Sequence, residues 1–460
     1  MDNLASEELF MDPRIKEAKS LLLAAIDIAQ SKLEGVKPPT PEREIEYQKI
    51  LNAFEEVRGG ALYYPYVGSG VGNGPLVELL DGSIKYDFIC GIGPHYFGHS
   101  HSGIIEAGID SAITNTIMQG HLQQNIEPLR LMEQLIEASG LDHCFLTSSG
   151  AMATENALKL AFHHKPGTNR VLAFDHCFMG RTLSLSQITD KPAYKKGLPA
   201  NLNVNYVPFY DSTKGAESIE ISNKILRQHL DRYPGQISAM CLELIQGEGG
   251  FNVGTHQFFK SIMSTLKEHE VKIIVDEVQT FGRTENLFAF KHFELDHFVD
   301  IVCIGKLSQV CATLFKSQLK PSPGLLSQTF TASSSAINAA IYVLNDLIHG
   351  NYFGDKGTIA KVHNECLTHF KVLEEKYPGL IRGPYGIGAM IAFIPFDGEP
   401  QQTLHFAKEL FKAGLITFVA GSNPMKIRML IPVPALREGD LENVFAIIDQ
   451  TLNSAKKNLW

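Results

Sequence analysis

Tryptophan occurs once in 460 residues and cysteine seven times, and no two cysteines form a CxxC pair. That scatter argues against a disulfide framework and against a cysteine-ligated zinc cluster, and it points to a reducing cytoplasm. Long apolar runs are missing too. None approaches the ~18 residues that a membrane span needs, and the segment MDNLASEELFMDPR is acidic, without the apolar stretch of a leader peptide. Positive charge is in deficit: 41 Lys plus Arg against 50 Asp plus Glu leave a net charge of −9. Nucleic acid and anionic membranes are therefore poor candidates for the main partner. No GxGxxG follows an early strand, which sets aside a simple dinucleotide-binding dehydrogenase.

What is present is an ordinary globular balance of 44 % apolar and 20 % charged residues, which excludes wholesale disorder. Helical spacing of Leu21, Leu22, Ala25 and Ile26, and again of Ile45, Ile50, Leu51 and Phe54, predicts a helical arm over residues 1–60 that packs on the main body. The joint between its two helical stretches is GVKPPTP. Beyond it, short apolar runs alternate with helical patterns. The runs are His143–Thr147, Arg170–Asp175, Val204–Phe209, Ile237–Ile245, Val271–Val278 and Asp300–Gly305. Helices are expected at Thr154–His164, Ile219–Arg232 and Gln257–His269. Such alternation implies βαβ crossovers and a mostly parallel sheet between helices in a large α/β domain, residues 61–335. Residues 336–460 read as a smaller α+β domain that opens after a long helix near Ser333–His349.

Ligands of open parallel sheets gather outside the carboxyl ends of the strands. Polar residues close several of the apolar runs: Ser149 and Gly150, Glu243, Asp276 and Lys306. Ser148–Ala151 before ATENALKLAFHHK suits an anion at a helix N-terminus, and equally a plain serine cap. An acid ending Val271–Val275 must be paired if buried. A protonated heterocyclic nitrogen would serve, as would a helix that the aspartate caps. Lys306, closing DIVCIGK, becomes a nucleophilic amine able to form a Schiff base if it is desolvated; the alternative is a solvated strand end. Together the three parts match what pyridoxal phosphate requires: a phosphate cradle, an acid for the ring nitrogen and a Schiff-base lysine.

The segments SSGAMATENALK, FMGRTLSLS, ELIQGEGGF, IIVDEVQTFGRT, DIVCIGK, SQTF and KIRMLIPVPAL, in that order, resemble a class III, or omega-type, aminotransferase of the fold-type I pyridoxal-phosphate enzymes. The resemblance implies that the backbones of Gly150 and Ala151 hold the cofactor phosphate, with a hydroxyl from Thr329 of the partner subunit. It implies that Phe178 stacks on the ring, Asp276 pairs with the ring nitrogen and Gln279 approaches the phenolic oxygen. Lys306 would form the internal aldimine and then move the proton. Arg181 and Arg428 would bind substrate carboxylates, with Glu248 as the switchable partner of Arg428. The implied enzyme is a cytoplasmic homodimer with active sites at its interface. It would transfer an amino group from an omega-amino acid or diamine to 2-oxoglutarate.

The chain departs from the family pattern in places. Met179 stands where histidine is common. DEVQTFGRT lacks a glycine after the threonine and looks one residue short. LSQVCATLF resembles the lysine 6-aminotransferase and animal-type 4-aminobutyrate branches more than the acetylornithine branch. TFTASSSA replaces a glycine-glycine-asparagine-proline turn, and Ile92 falls where ornithine-specific relatives carry tyrosine, which makes ornithine a weaker donor candidate. Two other readings stay open at this point: another pyridoxal-phosphate reaction (mutase, decarboxylase or racemase), or a non-catalytic regulatory dimer. His95, His99 and His101 have no cysteine or carboxylate at ligand spacing and read as turn and cap residues, so no metal is expected. Cys303 and Cys311, flanking the lysine, read as small buried hydrophobes.

Overall fold

The computed structural model describes residues 3–115 and 120–458. Its centre is a seven-stranded sheet built from β1 (His143–Thr147), β2 (Arg170–Phe174), β3 (Asn203–Val207), β4 (Ile237–Leu242), β5 (Lys272–Glu277), β6 (Ile301–Ile304) and β7 (Cys311–Phe315). The spatial order is β1-β7-β6-β5-β4-β2-β3. Strands β6, β5, β4, β2 and β3 pair in parallel, while β7 runs antiparallel to both β6 and β1. Six of the seven are the apolar runs read from the sequence, within a few residues at their ends. The seventh, CATLF, lies in the stretch read only as an altered loop after Lys306. The run Ile237–Ile245 also stops early: β4 ends at Leu242, and Ile245–Gln246 belongs to a separate two-stranded ribbon.

Helices cover both faces because each strand is apolar on both. Along β5, Ile273 and Val275 join one core cluster and Ile274 the other, the alternation that a pleated strand imposes. On one face lies the helix Gly150–His164, which buries Ala153, Ala157, Leu158, Leu160 and Ala161. On the opposite face lies His256–Glu268, whose Phe258, Phe259, Ile262, Met263 and Leu266 recur at helical spacing. Thr255 starts that helix by accepting the Phe258 N–H on its hydroxyl at 3.2 Å.

Two smaller sheets complete the frame. Ile381–Ile387, Met390–Pro395, Lys426–Leu430 and Phe418–Ala420 form an antiparallel sheet in that order. Gly68–Asn73, Leu76–Leu79 and Ile84–Asp87 form another, closed by Leu415–Ile416 lying parallel to Ile84–Asp87. The chain just after the N-terminal helices therefore shares a sheet with its C-terminal part. Within TFTASSSA, Ser333 caps the helix Ser334–His349 by accepting from the Ala336 N–H at 3.2 Å, so its hydroxyl serves the local backbone.

Phe258 is fully buried among Phe174, Phe209, Tyr210 and Phe259, with ring centroids 5.1–5.7 Å apart around it. Truncation leaves a cavity that these rings cannot refill. Phe258→Ala should cost about 3–5 kcal/mol, read as a lower urea midpoint with unchanged far-UV circular dichroism in buffer.

Candidate active site

The carboxyl ends of β4, β5 and β6 open on a cavity of about 510 Å³, lined by Gly150, Ala151, Phe178, Arg181, Glu243, Glu248, Asp276, Gln279 and Lys306 among others. A larger, more open groove of about 1250 Å³ beside the N-terminal helix Ala5–Met11 holds none of these residues. Topology explains the convergence. Asp276 and Cys303 are register partners on adjacent parallel strands, so Asp276 closes β5 beside the point where β6 turns into Lys306.

Lys306 sits at the start of a tight turn between β6 and the antiparallel β7, with φ at +56°. That left-handed conformation is strained for a side-chain-bearing residue, and it turns the lysine out of the strand line into the cavity. Among the described residues no carboxylate lies within ion-pair distance of its amine. Burial first, then the charges of Arg428 and Arg283, bring its pKa down to about 8, with Asp276 and Glu248 pulling the other way. The amine therefore gives up its proton far more readily than an exposed lysine does.

Asp276 is equally isolated. Its Oδ1 accepts from the Val278 N–H at 2.9 Å, and its Oδ2 lies 3.5 Å from the Thr154 hydroxyl. Neither is a cation. Burial pushes its pKa up to about 6 against those two hydrogen bonds and the Lys306 charge. An acid buried without a cation is set to receive one.

The walls are close fitting. A Cβ on Gly150 would meet Val278 Cγ1 at 2.8 Å, so only glycine lets that helix start approach the strand end. Ser149 does cap the helix, accepting from the Met152 N–H at 3.2 Å, while Gly150 and Ala151 line the cavity. Phe178 lines the cavity and donates its N–H to Glu243 Oε2 at 2.9 Å. Gln279 Oε1 accepts from Arg428 Nη1 at 3.4 Å. Arg428 is fully buried and pairs with Glu248 through Nη2. Burial would raise the Glu248 carboxyl, but Arg428, Lys191 and Lys306 outweigh it and hold it below the usual range. Arg181 stands exposed at the mouth, its guanidinium 4.0 Å over the Tyr194 ring. Thr329 lies outside this cavity.

Three residues around the site have roles that the sequence pattern does not disclose. Glu243 reads in the sequence only as a strand-end acid. It accepts the N–H groups of both Phe178 and Gly247, tying the Phe178 segment to the loop that carries Glu248. Arg283 lies within FGRT but is a fully buried cation with no carboxylate partner among the described residues. It donates to the carbonyls of Gln279 and Gly93 and lies 5.0 Å from the Tyr96 ring centre. The loop that looks one residue short thus closes compactly, with Phe281 buried and Gly282 at φ +70°. Tyr194, one aromatic among 14 tyrosines in the sequence, is the ring beneath Arg181. The histidine cluster also resolves: His99 pairs with buried Asp87 at 2.9 Å and stacks on His95, and His101 precedes the helix Ser102–Ala112.

A buried amine, a buried acid without a cation and a glycine-edged helix start define an enzyme that holds a phosphorylated carbonyl cofactor on a lysine. Pyridoxal phosphate fits all three. The chain belongs to the class-III aminotransferases, whose family model matches residues 67–452, and it is a pyridoxal-phosphate-dependent transaminase. It is similar to the acetylornithine aminotransferase of Bacillus subtilis (30% identical over 380 residues, covering 81% of this chain and 91% of the relative). It is also similar to that of Methanocaldococcus jannaschii (28% over 405 residues, 84% and 93%). The structure superposes on lysine aminotransferase from M. tuberculosis with a TM-score of 0.75 at 20% identity, covering 88% of this chain and 98% of that one. That likeness carries the fold-type I α/β architecture.

Glu243 offers a test of the electrostatics. Burial and the Asp276 charge push its pKa up to about 8 from an ordinary value near 4.5. An acid whose folded pKa is raised destabilises the fold increasingly as pH climbs from the unfolded value to the folded one. The Tm of Glu243→Gln relative to wild type, measured without cofactor, should therefore rise by at least ~2 °C between pH 5 and pH 8 and level off above it.

Proposed function

We propose that this transaminase takes the terminal amino group of an omega-amino acid or diamine and passes it to 2-oxoglutarate, a 2-oxo diacid. The observation that carries the reading is the pairing of Glu248, which lines the cavity together with Arg181, to the buried Arg428. With the pair closed, Glu248 masks the Arg428 charge, and a donor presenting an amine needs only Arg181 for a distal carboxylate. With the pair open, two guanidiniums receive the two carboxylates of a diacid, each able to bind bidentately. Relatives named for acetylornithine and putrescine support a terminal amine as donor. Ile92 at the rim, in place of tyrosine, makes ornithine the weaker candidate.

Pyridoxal phosphate supplies an aldehyde that takes up the amino group and a ring that spreads the resulting charge. On this reading Gly150 and Ala151 hold its phosphate at the positive end of their helix. Phe178 packs on the ring, Asp276 keeps the ring nitrogen protonated, and Gln279 faces the phenolic oxygen. Lys306, its amine readily deprotonated near neutral pH, anchors the group and then carries the proton to and from the reacting carbon. The protein works as a homodimer in the cytoplasm, with Thr329 of the partner subunit completing the phosphate site. Exposure of the adjacent Phe330 supports that placement.

The test is a donor panel of 4-aminobutyrate, lysine, acetylornithine, putrescine and ornithine with 2-oxoglutarate, read as glutamate formed. At least one terminal amine other than ornithine should support turnover. Lys306→Ala should lower kcat by at least ~10³-fold and lose the visible absorption of bound pyridoxal phosphate. Arg428→Lys should raise KM for 2-oxoglutarate ~10-fold or more by losing the planar fork. No glutamate from any donor would refute the reading.

A further inference from the structure

The switch attributed to Glu248 raises a question of charge. When a diacid takes Arg428, the Glu248 carboxylate loses its guanidinium inside a wall that leaves the side chain only 18% exposed. An acid stripped of its partner in such a place is costly unless another cation takes it up. The chain supplies one. Lys191 Nζ lies 3.7 Å from Glu248 Oε2, while Arg428 holds Oε1.

We propose that Lys191 is the alternative counter-ion of Glu248, the group that receives its carboxylate when a 2-oxo acid occupies Arg428, and that it thereby favours binding of the acceptor without affecting the donor half-reaction. This inference rests on the proposed function. The geometry gives the exchange a direction. Arg428 is wholly buried, Glu248 partly, and Lys191 is 27% exposed, so the three form a series from the interior toward the surface. Neither Lys191 nor Arg428 is among the residues lining the cavity; Glu248, which lines it, has Arg428 on one oxygen and Lys191 near the other.

The main chain around Glu248 is held on both sides. The Gly247 N–H donates to Glu243 Oε1 at 2.9 Å, and the Glu248 carbonyl accepts from the Gly421 N–H at 2.9 Å. The exchange is therefore a rotation of the Glu248 side chain rather than a loop movement. Lys191 can meet it, because a flexible four-carbon stem lets its ammonium close from 3.7 Å to hydrogen-bond distance. Its position is set locally. Pro192 opens a short helical turn whose Tyr194 ring lies 5.7 Å from the Lys191 ammonium and directly under Arg181. One segment, residues 191–194, thus supports both carboxylate sites.

The test compares wild type, Lys191→Met and Lys191→Arg, each also in a Glu248→Ala background. In single-turnover reactions of the pyridoxamine-loaded holoenzyme, Lys191→Met should weaken apparent binding of 2-oxoglutarate ~10-fold. The donor half-reaction, in which Glu248 stays on Arg428, should change less than ~2-fold, whereas pyruvate, whose carboxylate flanks the reacting carbonyl as in 2-oxoglutarate, should weaken with it. Lys191→Arg should restore wild-type behaviour, and the effect of Lys191→Met should vanish once Glu248 is alanine. Calorimetric titration with glutarate, which spans both arginines, against butyrate, whose one carboxylate needs only Arg181, reads the same effect without turnover. An equal loss in the donor half-reaction, an effect that persists in Glu248→Ala, or no effect at all would overturn the proposal. A wild-type enzyme that binds glutarate but forms no glutamate would instead overturn the proposed function and leave Lys191 to be judged by the titrations.

Discussion

Everything in this site depends on holding an amine and a carboxylate in one buried cavity without letting either find a protein counter-ion. Pairing Lys306 directly with Asp276 would be the easy electrostatic solution, and it would disable both groups. The fold prevents it by geometry. Asp276 ends its strand with one oxygen tied to the Val278 N–H, and Lys306 is swung out of the next strand by a positive φ. Two cations, Arg428 and Arg283, then disfavour the charged amine, while burial disfavours both charges. On the proposed function, a cofactor with a ring cation for the acid and an aldehyde for the amine would relieve both at once.

The surrounding wall serves that separation. Val278 fills the space that a side chain on Gly150 would need, and Gln279 does the same at Gly247. Arg283 fastens the carbonyl of Gln279 to that of Gly93, whose own position faces Lys306. Glu243 fastens the Phe178 segment to the glycine-rich loop of Glu248. These ties are made by buried charged or polar groups to main-chain atoms, so each fixes a loop rather than a single side chain. That is how a site assembled from loops keeps its shape.

The large sheet is legible in the sequence because buried parallel strands read as apolar runs and the crossover helices carry a 3.6-residue period. Asp276 and Lys306 are legible for the same reason: a charge at the end of an apolar run is conspicuous. CATLF is not, since an antiparallel strand placed one tight turn after Lys306 breaks the strand–helix alternation. Glu243 and Arg283 show no role in the sequence because their partners are backbone atoms, several of them far away in the chain, which no local pattern encodes. The same holds for Lys191, whose partner Glu248 is brought near only by tertiary folding. His99 with Asp87 shows the converse, a cluster whose meaning comes from a residue outside the motif.

On the proposed function one lysine, made nucleophilic by burial, takes the cofactor. Lys426 is the natural control, because it too is buried and brought down to about 8 by desolvation. Borohydride reduction of the protein loaded with pyridoxal phosphate, followed by peptide mapping, decides between them. One labelled site is expected, at Lys306; label on Lys426 or any other lysine, with Lys306 unmodified, would contradict that assignment.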